Sequence, residues 1–379
     1  MGLSIGIVGL PNVGKSTLFN ALLGAAQAAA ANYPFCTIEP NVGVVPVPDP
    51  RLDQLSALFK PKKTTPTVLQ FVDIAGLVAG ASKGEGLGNQ FLGNIREVDA
   101  VAHVLRCFED SDVVHVSGQV DPRGDRDVVE TELMLKDLES VEKKRDRTQK
   151  NTKSAGKQGE LARLELAALE KVKAGLEAGT PVRAQGLSDE DKEAVKDLFL
   201  LTSKPVLYIA NVDEGQLAVL EGEKAAGKPP SDPRIAAVKA LADAEGAQWV
   251  EISGKVESEL VELSGEERIE FLRSLGLEEP GLTRLVHAGY RLLGLITYFT
   301  SGEDECRAWT VRRGSLAPQA AGVIHSDFEK GFIKAEVIRI EDLLELKTEA
   351  ACREKGKLRI EGKEYTVQDG DVMHFRFNV

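Results

Sequence analysis

The sequence predicts an α/β protein: a mostly parallel sheet with a helical hairpin set into it, followed by a smaller α+β unit. Three observations carry this. Five short runs are almost continuously apolar, as strands covered on both faces must be, and helical patterns separate several of them. Between the third and fourth runs the chain turns charge-rich with helical spacing. From about residue 285 it becomes β-rich and partly alternating.

The five runs are 4–9 (SIGIVG), 68–73 (VLQFVD), 100–107 (AVAHVLRC), 205–211 (PVLYIAN) and 248–252 (QWVEI). Residues 125–149 and 159–178 read as two helices joined by the loop NTKSAGKQG. Leu166, Leu169, Val172 and Leu176 put one apolar stripe on the second. That is an antiparallel hairpin, with too few heptads to require a coiled coil. Further on, 297–301, 307–312 and 332–340 read as strands, and 357–379 as strand-like runs around the turn QDGD. The expected boundaries are 1–124 with 200–284 for the α/β domain, 125–199 for the insertion and 285–379 for the C-terminal domain.

At 379 residues, 42% hydrophobic and 28% charged, the composition is that of a globular protein. No apolar run reaches membrane-spanning length, and the Gly-punctuated N-terminus does not read as a signal peptide. The expectation is a cytoplasmic protein with no membrane partner. A net charge of −12 argues against a general nucleic-acid coat but leaves room for a local basic patch. Cys36, Cys107, Cys306 and Cys352 lack metal-ligand spacing and are expected as reduced thiols. Nothing in the sequence fixes an oligomeric state.

The first strand runs into Gly9-Leu10-Pro11-Asn12-Val13-Gly14-Lys15-Ser16-Thr17, which fits G-x-x-x-x-G-K-[ST] between a strand and a helix. In such a P-loop the backbone N–H groups and the helix N-terminus hold phosphate oxygens. Lys15 would reach the β- and γ-phosphates, and the Ser16 hydroxyl would ligate Mg²⁺. Asp73 ends the second run and starts Asp-x-x-Gly, so its carboxylate would hold a Mg²⁺-bound water while the Gly76 N–H meets the γ-phosphate. Thr37 would complete the Mg²⁺ shell. Asn12 has two readings: a carbonyl ligand for K⁺ beside the phosphates, or a residue that stabilises the loop.

These segments together resemble the Obg-related YchF subfamily, the Obg-like ATPases. The resemblance rests on GIVGLPNVGKSTLFNAL, NYPFCTIEPNVGVVPVPDPRLDQL, FVDIAGLVAGASKGEGLGNQFL, IANVDE and APQAAGVIHSDFEKGFIKAEV. It implies a TRAFAC-class G domain, a helical or coiled-coil insertion and a C-terminal TGS domain of β-grasp type. It also implies ATP in preference to GTP. The base loop reads Asn211-Val212-Asp213-Glu214 where guanine-specific relatives have Asn-Lys-x-Asp. Glu214 is one methylene too long for the bidentate guanine contact, and Asn211 with the Val212 backbone would meet the adenine. Residue physics alone leaves ATP and GTP close to even. Ser253-Gly254-Lys255 resembles the last base-contacting loop.

Where many relatives carry a water-orienting Gln after Asp-x-x-Gly, this chain has Leu77, so the group must come from elsewhere. His115 resembles the histidine the family is thought to use; the alternative is that it packs its own segment. His103, inside a strand, reads as a core histidine. Glycines 76, 80, 84, 86 and 88 suit a switch loop that orders on γ-phosphate. The resemblance points to an ATPase switch that binds the ribosome or a ribosomal subunit, with a GTPase and a slow, non-enzymatic nucleotide-dependent regulator as alternatives. Residues 142–157 hold seven positive and two negative side chains, so the hairpin tip is the expected RNA-facing element.

Overall fold

The computed structural model describes residues 3–30, 41–74, 87–110, 115 and 118–378. In chain order the first elements are β1 (Ser4–Val8), α1 (Lys15–Ala30), β2 (Val42–Pro46), α2 (Pro50–Phe59), β3 (Lys63–Thr65) and β4 (Val68–Asp73). Then come α3 (Leu87–Glu97), β5 (Ala100–Arg106), α4 (Pro122–Asn151), α5 (Lys157–Glu177), β6 (Val206–Asn211) and β7 (Gln248–Ile252). The C-terminal strands are β8 (Leu295–Thr300), β9 (Glu305–Arg312), β10 (Phe332–Arg339), β11 (Arg359–Glu361) and β12 (Asp371–Phe377). The described residues group into two units.

The first unit holds Phe71–Arg284 with the N-terminal stretch to Gly24. Its strands β1, β5, β6 and β7 belong to a sheet of order β2-β4-β1-β5-β6-β7. The pairs β1–β5, β5–β6 and β6–β7 are parallel, with Ile7 beside Ala102, His103 beside Tyr208 and Tyr208 beside Trp249. Every residue of β5 and β6 is buried, which explains their mostly apolar sequence. The chain leaves β1 for one side of the sheet and returns to its other side at β5. The strand order therefore reverses at β1, and ligands of open α/β sheets sit beyond the carboxyl end of such a strand.

All five apolar runs are strands in this sheet. The sixth strand, β2, had no signal in the sequence analysis: VGVVP is short and edged by proline. Helix starts are written plainly. Asp49-Pro50, Asp121-Pro122 and Asp232-Pro233 each put an aspartate at the N-cap, accepting a backbone N–H, and a proline at the first helical position.

The insertion is the expected hairpin. Ala168, Leu169, Val172 and Leu176 of α5 pack on Val141 of α4 and on Val182, Val195 and Leu200. Leu166 is only half-buried and lies outside that cluster. The foot of α4 is fixed to the sheet by polar contacts. Asp137 is fully buried and accepts from the Leu201 N–H at 2.7 Å, the Thr202 N–H at 2.8 Å and the Thr202 hydroxyl at 2.7 Å. Arg183 pairs with Glu130 at 2.8 Å and with Glu245, which also accepts from the Tyr208 hydroxyl. Arg126 bonds the same glutamate.

The second unit contains Leu285–Val379, and it also takes in Val44–Gln70. Its sheet has the order β11-β10-β12-β8-β9-β3. β8 and β12 lie parallel at the centre; β8–β9 and β10–β12 are antiparallel. With helix Ala317–Ile324 across one face, this is a β-grasp. Ile296 and Tyr298 of β8 face that helix, while Phe299 faces Leu52 and Leu55 of α2. Residues 285–379 thus bury one face against a segment more than 200 positions earlier, a pairing that local pattern does not encode. Cys107, Cys306 and Cys352 are buried free thiols; Cys36 lies outside the described residues.

Candidate functional site

A cavity of about 630 Å³ opens in the first unit. The segment after β1 forms one wall, through Asn12, Gly14, Lys15, Ser16 and Thr17. The others come from 108–110, from 211–215 and from 253–255.

The loop takes its shape from three backbone conformations. Gly9 has φ +153°, and a Cβ there would lie 2.6 Å from the Val104 carbonyl oxygen. Gly14 has φ +94°, with Asn211 Nδ2 only 2.2 Å from where its Cβ would be. Glycine alone meets both demands. Asn12 sits at φ +62°, the left-handed region that asparagine tolerates better than most residues. Its carbonyl accepts from the Arg106 guanidinium at 3.4 Å. The loop-stabilising reading of Asn12 thus has a conformational basis, and the residue also lines the cavity.

Lys15 begins α1 and is buried, its Nζ donating to the Leu10 carbonyl at 2.7 Å. Burial pushes its amine down to about 8, opposed by the nearby Asp73 carboxylate. Asp73 ends β4, its N–H held by the Asn41 carbonyl at 2.9 Å. Burial raises its carboxyl above the ordinary range, with Lys15 opposing. Its Oδ1 is buried without a hydrogen-bond partner. A buried cation and a carboxylate oxygen lacking a donor therefore share one end of the sheet. No acidic residue occupies the first turn of α1, so its free N–H groups meet no competing carboxylate there.

The base loop is built around Asn211. Asn211 is buried, with both ends of its amide in use: Nδ2 donates to the Val13 carbonyl at 2.8 Å, and Oδ1 accepts from the Gly254 N–H at 3.1 Å. It ties the P-loop to the 253–255 loop. The Val212 N–H donates to the Ile252 carbonyl at 2.9 Å. Asp213 is the N-cap of helix Glu214–Ala225, in a reciprocal box with Gln216. Glu214 is exposed at the first position of that helix and lines the cavity. Ser253 is buried and caps helix Gly254–Glu262 through its hydroxyl.

His115 does not line this cavity. It is buried, with Nε2 2.9 Å from the Asp125 Oδ2 in the first turn of α4. Asp125 is raised by burial, with His115 lowering it. His103 is a core histidine as expected: it is buried, and burial, with Arg126 and Arg183 adding to it, pushes the ring down to about 3. Thr37, Gly76, Leu77 and the glycines at 80, 84 and 86 lie outside the described residues; Gly88 falls in the first turn of α3.

Sequence reasoning missed Arg106 and Phe108. Arg106 is wholly buried; it bonds the Phe108 and Asp110 carbonyls and stacks on the Phe108 ring at 4.5 Å, fixing a cavity wall. An arginine closing an otherwise apolar strand was the available signal.

A family model described as 50S ribosome-binding GTPase matches residues 4–151, and one described as a protein of unknown function, named for the YchF C-terminus, matches 295–378. The chain is 55% identical to a Haemophilus influenzae protein named ribosome-binding ATPase YchF and 53% identical to its Bacillus subtilis namesake. Both alignments cover the full length of each partner. A solved structure titled as the YchF GTPase of Schizosaccharomyces pombe is 41% identical, covers 99% of this chain and 98% of its own, and superposes with a TM-score of 0.86.

Proposed function

The chain belongs to the YchF family, and from that premise we propose that it is an ATP-hydrolysing switch that docks on the ribosome. The observation that carries the reading is buried Lys15 near an Asp73 carboxylate oxygen that lacks a donor, at the end of the sheet where its strand order reverses. A polyanion with its metal satisfies both: phosphate oxygens restore the full charge of Lys15, and a cation or its bound water gives Asp73 Oδ1 a partner.

The P-loop class implies a divalent ion. Among the described residues no group of three or more His, Cys, Asp or Glu could hold a metal. Mg²⁺ suits such a site, because it keeps waters and takes one or two carboxylates plus phosphate oxygens. Asp73, Ser16 and Thr37 would hold it, and bound there it would neutralise charge on the β- and γ-phosphates. Asn12 would offer K⁺ a carbonyl ligand beside the phosphates. Val13, Gly14, Lys15, Ser16, Thr17 and Gly76 would bind the phosphates, His115 would orient the attacking water, and Asn211, Val212, Glu214 and Ser253 would form the base end.

Adenine is favoured by what the base end offers. The Val212 N–H is already engaged. A base contact at Val212 must therefore come from its carbonyl. That acceptor suits the adenine 6-amino group and repels the guanine 6-oxygen.

No helix among the described residues is long and apolar enough to cross a membrane. Docking on ribosomes would put the protein in the cytoplasm. The test is ATP turnover and nucleotide-dependent pelleting with ribosomes for the wild type, Lys15→Ala and Ser16→Ala. Both variants should lose Mg²⁺–ATP binding or hydrolysis. Near-wild-type turnover in both removes the site assignment, and pelleting indifferent to nucleotide removes the switch.

A further inference from the structure

The hairpin carries a groove that the nucleotide site does not use. Helix α5 gives the hairpin core its Leu169, Val172 and Leu176, yet Leu161 and Leu164, one turn apart, are 56% and 63% exposed. They line a cleft of about 870 Å³ between α5 and helix Asp189–Val195, together with Ala162, Ala167 and Ala194. The rim is acidic: Glu165, Asp189, Glu190, Asp191 and Glu193 line it against a single lysine, Lys171. Asp191 neutralises that lysine at 2.8 Å, and Lys144 meets Glu165 at 2.6 Å. Asp189, Glu190 and Glu193 are left facing solvent. Asp189 pairs with Lys192 on the same helix and Glu193 with Lys196 just past its end, but such exposed pairs are weak and screened.

We propose that this groove docks a basic amphipathic segment of a partner protein, with apolar side chains seated on Leu161 and Leu164 and Lys or Arg side chains on the acidic rim. Paired exposed leucines above alanines make room for apolar anchors at helical spacing. The sign of the rim selects the occupant: it repels nucleic-acid phosphate and anionic lipid, and attracts a cationic peptide. The groove lies on the same hairpin as the basic tip at 143–157, so one arm presents two chemistries, one for phosphate and one for basic protein.

The inference deepens the ribosome reading but does not depend on it, because the probe is a peptide. A labelled Lys/Leu amphipathic helix of roughly four turns is titrated into the full chain by fluorescence anisotropy, beside a Glu/Leu helix of the same pattern and an RNA duplex. The Lys/Leu helix should bind, weaken with salt, and lose at least tenfold in affinity in the double variant Leu161→Glu, Leu164→Glu and in Glu190→Lys, Glu193→Lys. Both pairs are surface positions, so ATP turnover should stay at the wild-type level. Absence of peptide binding, or binding untouched by both variants, overturns the proposal. So does loss of RNA binding in the leucine variant. Self-association of the wild type that these variants abolish would make a second copy the occupant and also overturn it. Ribosome pelleting on the same samples separates the two readings: pelleting without peptide binding leaves the ribosome reading standing, and peptide binding without pelleting leaves only the groove.

Discussion

Replacing Asn211 by alanine tests whether this residue reads the base or holds the site together. Its amide joins the Val13 carbonyl to the Gly254 N–H across the floor of the cavity. Truncation leaves both backbone groups buried without partners, at about 1–3 kcal/mol each. Part of that cost falls on the fold whether or not nucleotide is present, so the unit should lose about 2–4 kcal/mol of stability. The remainder appears as misplacement of the P-loop and of the 253–255 loop. An affinity loss of about 1.4–2.8 kcal/mol is a factor of about 10 to 100. Because the lost contact is between two loops, ATP and GTP should weaken by the same factor. The assays are equilibrium titration with both nucleotides and denaturant unfolding. Asn211→Asp gives a graded comparison: it keeps an acceptor for the Gly254 N–H but loses the donor to Val13. A loss confined to ATP, with unfolding unchanged, would refute the bridge and return Asn211 to the base.

Other outcomes follow from the same geometry. Glu214→Asp should shift preference toward GTP by about tenfold or more, the scale of one good base contact; changing it alone avoids a buried lysine at Val212, and an unmoved ATP/GTP affinity ratio means the 214 side chain does not meet the base. His115→Ala should leave ATP affinity nearly intact and lower turnover by roughly 10²-fold or less, with a lower unfolding midpoint because Asp125 loses its partner; equal loss of binding and turnover marks a purely structural histidine. At the hairpin tip Lys144 and Arg145 are engaged in ion pairs, so charge reversal belongs at the exposed Arg147, Lys150, Lys153 and Lys157; this should weaken ribosome pelleting and flatten its salt dependence with ATP hydrolysis unchanged, and an unchanged salt slope makes the arm a spacer. His103 is held at about 3 when folded and returns to about 6.5 when unfolded, so the unfolded chain gains a proton first as pH falls and stability is lost between those values, by up to about 1.4 kcal/mol per pH unit; His103→Leu should lose that slope, and identical acid profiles would count against a buried neutral ring.

The sequence by itself determined the motifs and the strands that hold them. Gly9, Gly14 and Lys15 are legible because a phosphate loop demands a backbone that only certain residues allow, and that demand is local. The five apolar runs and the hairpin are legible because burial on both faces, or on one helical stripe, writes a period into neighbouring residues. What the tertiary structure decided depends on residues far apart. The role of Asn211 came from its contact with Val13, 198 positions away, and hence with a loop that its own motif does not mention. Residues 44–70 group with the C-terminal unit because Leu52 and Leu55 find their cover on Phe299, and no period in either segment encodes the other. The sequence left His115 between orienting water and packing its own segment, and only the fold shows the buried partner it finds in Asp125 at the foot of the arm. Charge at the tip was countable in the sequence. Which of those charges face solvent was settled only when α5 supplied Glu165 and Glu170 and the turn after helix Asp189–Val195 supplied Asp197, because an ion pair needs two side chains within about 4 Å and sequence spacing does not give that distance across a fold.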